Sequence, residues 1–366
     1  MRWLIDGHLD LAWNALAWGR DITLDLDRLK RDEVEMTDHP SRGRATTTLP
    51  EMRRAGIAVC QATLLARAKP EIRRPEGHAR ISLDFAIQEI ASATARGQLA
   101  YYELLERRGL LRMIRTSCDL DTHWERFTTG NQDEAIGYQP IGYILAMEGA
   151  DPIVEPSHAV EWWNLGPRSV NLAHYGKSRY AAGTGDDGPL TREGVQLLKE
   201  FDQLGMILDA THLSDTSFYQ ALDIFHGPVL ASHNNCRALV PDGRQFSDQQ
   251  VRMLIERDAV IGSALDAWML FPGWVRGRTS REVVELEAVA DHIDHVCQLA
   301  GSHRHAAIGS DLDGGFGTEQ SPVGMDRISD LQDLGEILLR HGYSDTAIDD
   351  IFHGNWLRFF RKNLPS

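Results

Sequence analysis

The sequence predicts an α/β protein built as a (β/α)8 barrel, a single domain over residues 1–366. Three observations predict it. A chain of 366 residues suits one large barrel or two modest domains, and no linker, repeat or low-complexity tract divides it. Short apolar runs alternate with longer amphipathic segments. Several of those runs end in a histidine or a carboxylate, and a barrel gathers the C-terminal ends of its strands on one face.

Eight candidate strands fall at residues 3–5, 58–64, 142–147, 169–172, 206–208, 229–231, 259–262 and 306–309. Their apolar and β-branched content suits strands covered on both faces. Helical patterns occupy 81–96, 191–204, 248–257 and 280–300. The second of these opens at Thr191, with Glu193 and Gln196 behind it, and stops at Gly205. A ninth apolar run at 110–114 exceeds the barrel count and is assigned to the connection before residue 142. A doubly wound or two-sheet arrangement is the alternative this count leaves open.

Composition narrows the function. Acidic residues outnumber basic ones by 53 to 38, for a net charge of −15, which argues against a nucleic-acid partner. No stretch reaches the ~20 apolar residues that span a bilayer. Asp6 interrupts any apolar leader, and residues 358–366 lack an apolar anchor tail, so no membrane association is expected. Cys60, Cys118, Cys236 and Cys297 form no metal-type pair and are read as reduced thiols of a cytoplasmic protein.

The strand ends carry the chemistry. The first candidate strand runs into Asp6-Gly7-His8-Leu9-Asp10, the third into Glu148-Gly149, and the fourth into Ala173-His174. The fifth runs into Asp209-Ala210-Thr211-His212, the sixth into Ser232-His233, and the last into Ser310-Asp311-Leu312-Asp313. Residues i and i+2 of a strand point the same way, so His8 and Asp10 would aim an imidazole and a carboxylate at one point. That pairing suits Zn²⁺ or a similar first-row ion. Each residue alone has a plainer reading. Glu148 could be a helix first-turn acid, Asp311 and Asp313 turn residues beside Gly314-Gly315, and Arg244 a solvated loop residue. Taken together the plain readings strain, because apolar strands gain no stability from a series of ionisable ends. The other histidines, His78 and His123 among them, fall in helical or polar loop contexts. His292 and His295 share a helix face without a third partner and are read as surface residues. There is no phosphate-binding loop, no dinucleotide fingerprint and no Gly-x-Ser-x-Gly.

In order along the chain, these segments resemble the membrane (renal) dipeptidase family of zinc metallopeptidases. Asp6-Gly7-His8-Leu9-Asp10 is similar to its Asp-Gly-His-Asn-Asp opening, and Glu148-Gly149 to its Glu-Gly. Leu204-Gly205-Met206-Ile207-Leu208-Asp209 with His212, Ser232-His233-Asn234 and Gly309-Ser310-Asp311-Leu312-Asp313-Gly314 resemble its later motifs. Gly354-Asn355-Trp356-Leu357-Arg358 is similar to its C-terminal Gly-x-Asn-x-x-Arg. The resemblance implies a TIM-type barrel of the metal-dependent amidohydrolase kind holding two Zn²⁺, or another divalent first-row ion. His8 and Asp10 would bind one ion, His212 and His233 the other, and Glu148 both. A hydroxide bridging the ions would attack a dipeptide. His174 would face the substrate, Arg244 would hold its carboxylate, and Asp311 would handle the proton. Leu9 replaces the usual Asn. Ser263-Ala264-Leu265-Asp266-Ala267-Trp268 stands where the family carries an Asn-Phe/Tyr pair near the substrate. These departures spare every ligand position and fall on the pocket wall. The alternatives are another binuclear amidohydrolase, acting on N-acyl amino acids, cyclic amides or esters, and a non-catalytic binding barrel. A homodimer is the fair guess for such a barrel.

Overall fold

The strands follow from apolar runs buried on both faces. The computed structural model describes residues 1–69, 83–129 and 139–366. Its strands are β1 (Leu4–Leu9), β2 (Ile57–Leu65), β3 (Arg67–Ala68), β4 (Asp84–Phe85), β5 (Leu111–Met113), β6 (Ile141–Glu148), β7 (Ser169–Asn171), β8 (Ile207–Asp209), β9 (Val229–Leu230), β10 (Ile261–Ser263) and β11 (Ala306–Ile308). Every residue of β1, β2 and β6 is buried, as parallel strands covered by helices require.

The sheet runs β1-β2-β6-β7-β8-β9 with all neighbours parallel. A parallel bridge between Ala231 and Ile261 carries it on to β10, which pairs with β11. The last strand returns to the first through polar contacts. Asp311 N donates to His8 O at 3.3 Å. Ser310 donates to the Asp6 carboxylate from its backbone N and its Oγ, at 2.8 and 2.5 Å. The parallel sheet thus curls in chain order into a TIM-barrel-like α/β fold. Gly309 permits the curl, since a Cβ there would lie 1.8 Å from Ser232 O.

The ninth run does form a strand, β5. It pairs with the N-terminal half of β6, while β7 pairs with the C-terminal half, so both fit along one side of β6. The helix Arg192–Leu204 has Thr191 as its N-cap, accepting from Gly194 N, and Gly205 in the left-handed conformation at φ 74° as its C-cap. The first helical pattern is displaced: the helix is Gln88–Arg107, and residues 81–82 lie outside the described residues, as does His78. The 280–300 pattern resolves into a 3-10 turn at Arg281–Val283 and a helix at Glu287–Ala300. The surface reading of His292 is overturned. Its ring is buried, and Nδ1 accepts from Cys236 N at 3.0 Å, because that helix face packs onto the loop after β9. His123 is likewise a core residue, with Nε2 at 2.9 Å from Ala58 O. The C-terminal Asn355 and Trp356 act as clasps: Asn355 Nδ2 donates to Ala306 O and Trp356 Nε1 to Ile308 O, both at 2.9 Å.

Candidate metal centre

His8 lies within β1, and Asp10 follows it directly before the helix Leu11–Trp18. Glu148 is the last residue of β6. His174, His212, His233 and Asp311 each stand three residues beyond the end of a strand, β7, β8, β9 and β11 in turn. His212 and Asp311 hold left-handed backbone, with φ of 71° and 55°, a strained setting for non-glycine residues that is common at functional sites.

These side chains converge. His8, Asp10 and Glu148 form one group whose donor atoms all lie within 4.8 Å of one another, and Glu148, His212 and His233 form a second. Glu148 belongs to both. Its Oε1 stands 3.1 Å from His212 Nε2, 3.4 Å from His233 Nε2 and 3.5 Å from His8 Nε2. The sequence expectation for the i, i+2 pair holds, with His8 Nε2 3.7 Å from Asp10 Oδ1. A third group, His8, His233 and Asp311, places the Asp311 carboxylate beside the other two.

Each imidazole is held from behind by a hydroxyl. Ser232 Oγ meets His233 Nδ1 at 2.9 Å and His8 Nδ1 at 3.3 Å, and Thr184 Oγ1 meets His212 Nδ1 at 3.0 Å. Thr63 Oγ1 donates to Asp10. The three Nε2 atoms therefore face the cluster, as in a metal site whose ligands are oriented by outer partners. Burial, with Arg244 beside them, pushes the His212 and His233 imidazoles well below their ordinary range. For His8 burial acts in the same sense, but Glu148 and Asp10 outweigh it and raise the ring well above that range. Burial, reinforced by Asp10, raises Glu148. Burial also raises Asp311 well above the usual carboxylate range.

The donor set fits a pair of divalent first-row ions. It offers imidazole nitrogens and carboxylate oxygens, the ligands such ions prefer. His8 Nε2 is buried with no hydrogen-bond partner, although it faces Asp10, Glu148 and Asp311.

A cavity of about 470 Å³ opens over the cluster, lined by Asp10, Glu148, His174, His212, Arg244 and Asp311 among others. Arg244 is buried rather than solvated. Its Nη2 donates to His233 O at 2.8 Å and lies 3.5 Å from His212 Nε2, and its Nη1 donates to Asn234 Oδ1. His174 Nε2 stands 3.7 Å from Glu148 Oε1. A larger cavity of about 910 Å³ shares Arg67 and Tyr175 with this one, but none of the converging donor groups lines it.

Residues 2–364 match the profile of the membrane dipeptidase family, peptidase family M19. The chain belongs to this family. Dipeptidase verJ of Clonostachys rogersoniana is 31% identical over 293 residues, which is 78% of this chain and 69% of that protein. Dipeptidase 3 of Rattus norvegicus is 26% identical over 261 residues, 68% of this chain and 50% of the rat protein. The chain thus spans between about half and 70% of these relatives. Two solved structures share the fold. One is a family M19 metallopeptidase described as dipeptidase AC (TM-score 0.76, 23% identity, 100% of this chain and 99% of the other). The other is a metallopeptidase from Rhodobacter sphaeroides liganded with a phosphinate mimic of the dipeptide L-Ala-D-Ala (TM-score 0.75, 22% identity, 99% of each chain).

Asp313 turns away to Arg20 and Thr46, whereas His8, Asp10, Glu148, His174, His212, His233, Arg244 and Asp311 meet here. Sequence reasoning missed the residues that steady them. Arg67 Nη1 lies 3.2 Å from His174 Nδ1 and its Nε pairs with Asp84 at 2.7 Å. A guanidinium has no acceptor, so Nδ1 must accept and the His174 proton sits on Nε2, facing Glu148. Burial, with Arg67 and Arg244 adding to it, keeps that ring far below its ordinary pKa and so neutral. Arg67 stands two residues beyond the apolar 57–65 run, so a strand-end search widened from histidines and carboxylates to arginines would have found it.

Proposed function

We propose that this chain is a zinc-dependent dipeptidase, a single catalytic domain that hydrolyses the peptide bond of dipeptides in the reducing cytoplasm. The observation that carries the reading is the pair of donor groups sharing Glu148 beside a buried guanidinium in one cavity. His8, Asp10 and Glu148 would hold one cation, and Glu148, His212 and His233 the other. Cations held there would lower the pKa of a bound water and so make a nucleophile available near neutral pH.

The remaining work belongs to the side chains. His174, with Nδ1 taken by Arg67, presents Nε2–H to the oxygen that gains charge at the scissile carbon. Asp311, raised by burial, takes a proton from the attacking water and returns it to the leaving amine. Arg244 pairs with the substrate's terminal carboxylate, a charge-assisted contact of matching geometry. A carboxylate clamp so close to the reacting carbonyl leaves room for only two residues. Three of the four cysteines are buried and all four are unpaired, in keeping with a reducing compartment. Among the described residues no helix is long and apolar enough to cross a membrane.

The test is a count of zinc by elemental analysis together with hydrolysis of dipeptides, their C-terminal amides and N-acyl amino acids. Two ions per chain and hydrolysis of free-acid dipeptides are expected. Turnover of amides as fast as acids, or of N-acyl amino acids alone, would replace this reading with a broader amidohydrolase. Protein that binds no zinc and turns over nothing would be a non-catalytic barrel.

A further inference from the structure

The ligand cluster does not say which dipeptides enter, but the wall of the same cavity does. Resting on the dipeptidase reading, we propose that Asp266 and Gln320 recognise a cationic group, an ammonium or guanidinium, on a side chain of the dipeptide substrate. Asp266 follows β10 and is 7% exposed; Gln320 closes the turn Thr318–Gln320 after β11 and is 4% exposed. Both line the 470 Å³ cavity together with His174 and Arg244.

The two side chains fix each other. Gln320 Nε2 stands 2.8 Å from each oxygen of Asp266. Only the NH2 end of an amide can donate, so the Gln320 amide is turned with Oε1 away from the carboxylate. That Oε1 is buried and has no hydrogen-bond partner. Trp268 adds two donors, its Nε1 to Oδ2 at 2.7 Å and its backbone N to Oδ1 at 3.4 Å. Every partner of Asp266 donates, which holds the group ready as an anion. Beside it lies an acceptor that still wants a donor.

The corner is short of positive charge. Among the described residues Asp266 has no ion-pair partner. Arg276 acts on it from the cavity mouth, where the arginine is exposed and donates to Gly315 O at 2.7 Å. Burial nevertheless pushes the Asp266 carboxyl up to about 7. An apolar substrate side chain would leave the Asp266 charge without a counter-charge in the cavity, whereas an ammonium or guanidinium supplies one. The Trp268 indole, held by the carboxylate and lining the same cavity, adds an aromatic surface for the cation or its alkyl stem. Asp266 belongs to none of the converging donor groups, so the charge it meets sits farther out than the α-amino group next to the scissile bond.

The experiment uses the zinc-loaded full chain and isosteric pairs, lysine against norleucine, at each position of an alanine-containing dipeptide. The lysine substrate should exceed its norleucine partner in kcat/KM by about tenfold or more at one position. Asp266→Asn should collapse that ratio towards one, and Gln320→Met should reduce it. Equal rates in the wild type at both positions would overturn the assignment without need of any variant, and so would an undiminished ratio in a folded Asp266→Asn protein. If none of the dipeptides is hydrolysed, the dipeptidase reading falls and this one falls with it, so the two failures are told apart by the norleucine substrates.

Discussion

The cluster around Glu33 and the cluster around Glu148 both bury several ionisable side chains, and they balance charge differently. At Glu33, the last residue of the helix Leu26–Glu33, every group finds its counterpart nearby. Arg20 Nε lies 2.8 Å and Arg42 Nη1 2.7 Å from Glu33 Oε1, and Arg42 also pairs with Asp38 at 2.9 Å. Arg20 reaches on to Asp313, whose carboxylate accepts from Thr46 N and Oγ1 at 2.8 Å each and from Thr47 N at 3.2 Å. At Glu148 the carboxylates of Asp10 and Asp311 crowd imidazoles, and His8 Nε2 stays without a hydrogen-bond partner. The first cluster is closed on itself and steadies the loop that carries Asp311. The second faces a cavity, and its donors would come to balance with the cations proposed for it. Buried charge is evidence of function where the protein has not supplied the counter-charge itself.

Substitutions that break the open cluster should have the largest effects. Glu148→Gln removes the one residue common to both donor groups, so zinc content and hydrolysis should fall together, the latter by about a thousandfold or more. Elemental analysis and turnover measured on the same sample decide it; two retained zinc ions with full activity would remove Glu148 from the shared position. Asp311→Asn sharpens the contrast within the centre. An amide keeps the hydrogen bonds but cannot take a proton, so kcat should drop by about 10²–10⁴ while zinc is retained. Asp313 belongs to the closed cluster, and Asp313→Asn should show a much smaller loss of kcat. The reverse order would mean that the wrong aspartate has been assigned the proton.

Arg244→Ala tests the substrate clamp on the edge of the open cluster. Zinc content should stay constant, and kcat/KM for free-acid dipeptides should fall about a hundredfold, the equivalent of losing a charge-assisted contact of ~2–3 kcal/mol. C-terminally amidated dipeptides, poor substrates from the start, should lose little; an equal loss on both series would make Arg244 a structural residue.

Breaking the closed cluster should leave the chemistry and cost stability. Glu33→Gln strands Arg20 and Arg42 without their shared anion, for about 3 kcal/mol in denaturant unfolding, with zinc per folded chain unchanged. Burial alone would raise Glu33, but Arg20 and Arg42 outweigh it and hold the carboxyl below its ordinary 4.5. A depressed folded pKa stabilises above the unfolded value and loses that contribution as pH falls through the folded one. The stability gap between wild type and Glu33→Gln should therefore be full at neutral pH and narrow as the pH falls below the ordinary carboxyl value of 4.5. A gap that does not change with pH would show that packing, rather than charge, binds this cluster.

Much of this was legible in the residues. An apolar strand ending in a histidine or carboxylate is a local feature, costly without a purpose, and it recurs often enough to locate His8, Asp10, Glu148, His174, His212, His233 and Asp311. Thr191 and Gly205 marked a helix because capping is decided within one turn. His292 was misread because i, i+3 spacing says which residues share a face and not whether that face meets solvent or core.

The sequence by itself determined the family and the polar strand ends that converge, both of which depend on residue type and short-range spacing. The tertiary structure put distances on the division around Glu148 that the family resemblance implied. It alone placed Ser232 behind both His8 and His233, turned the His174 proton towards the cavity through Arg67, and brought Gln320 onto Asp266. The reason is physical: these contacts join side chains from different strands and loops, where the spacing along the chain is set by the curl of the sheet and leaves no periodicity to read.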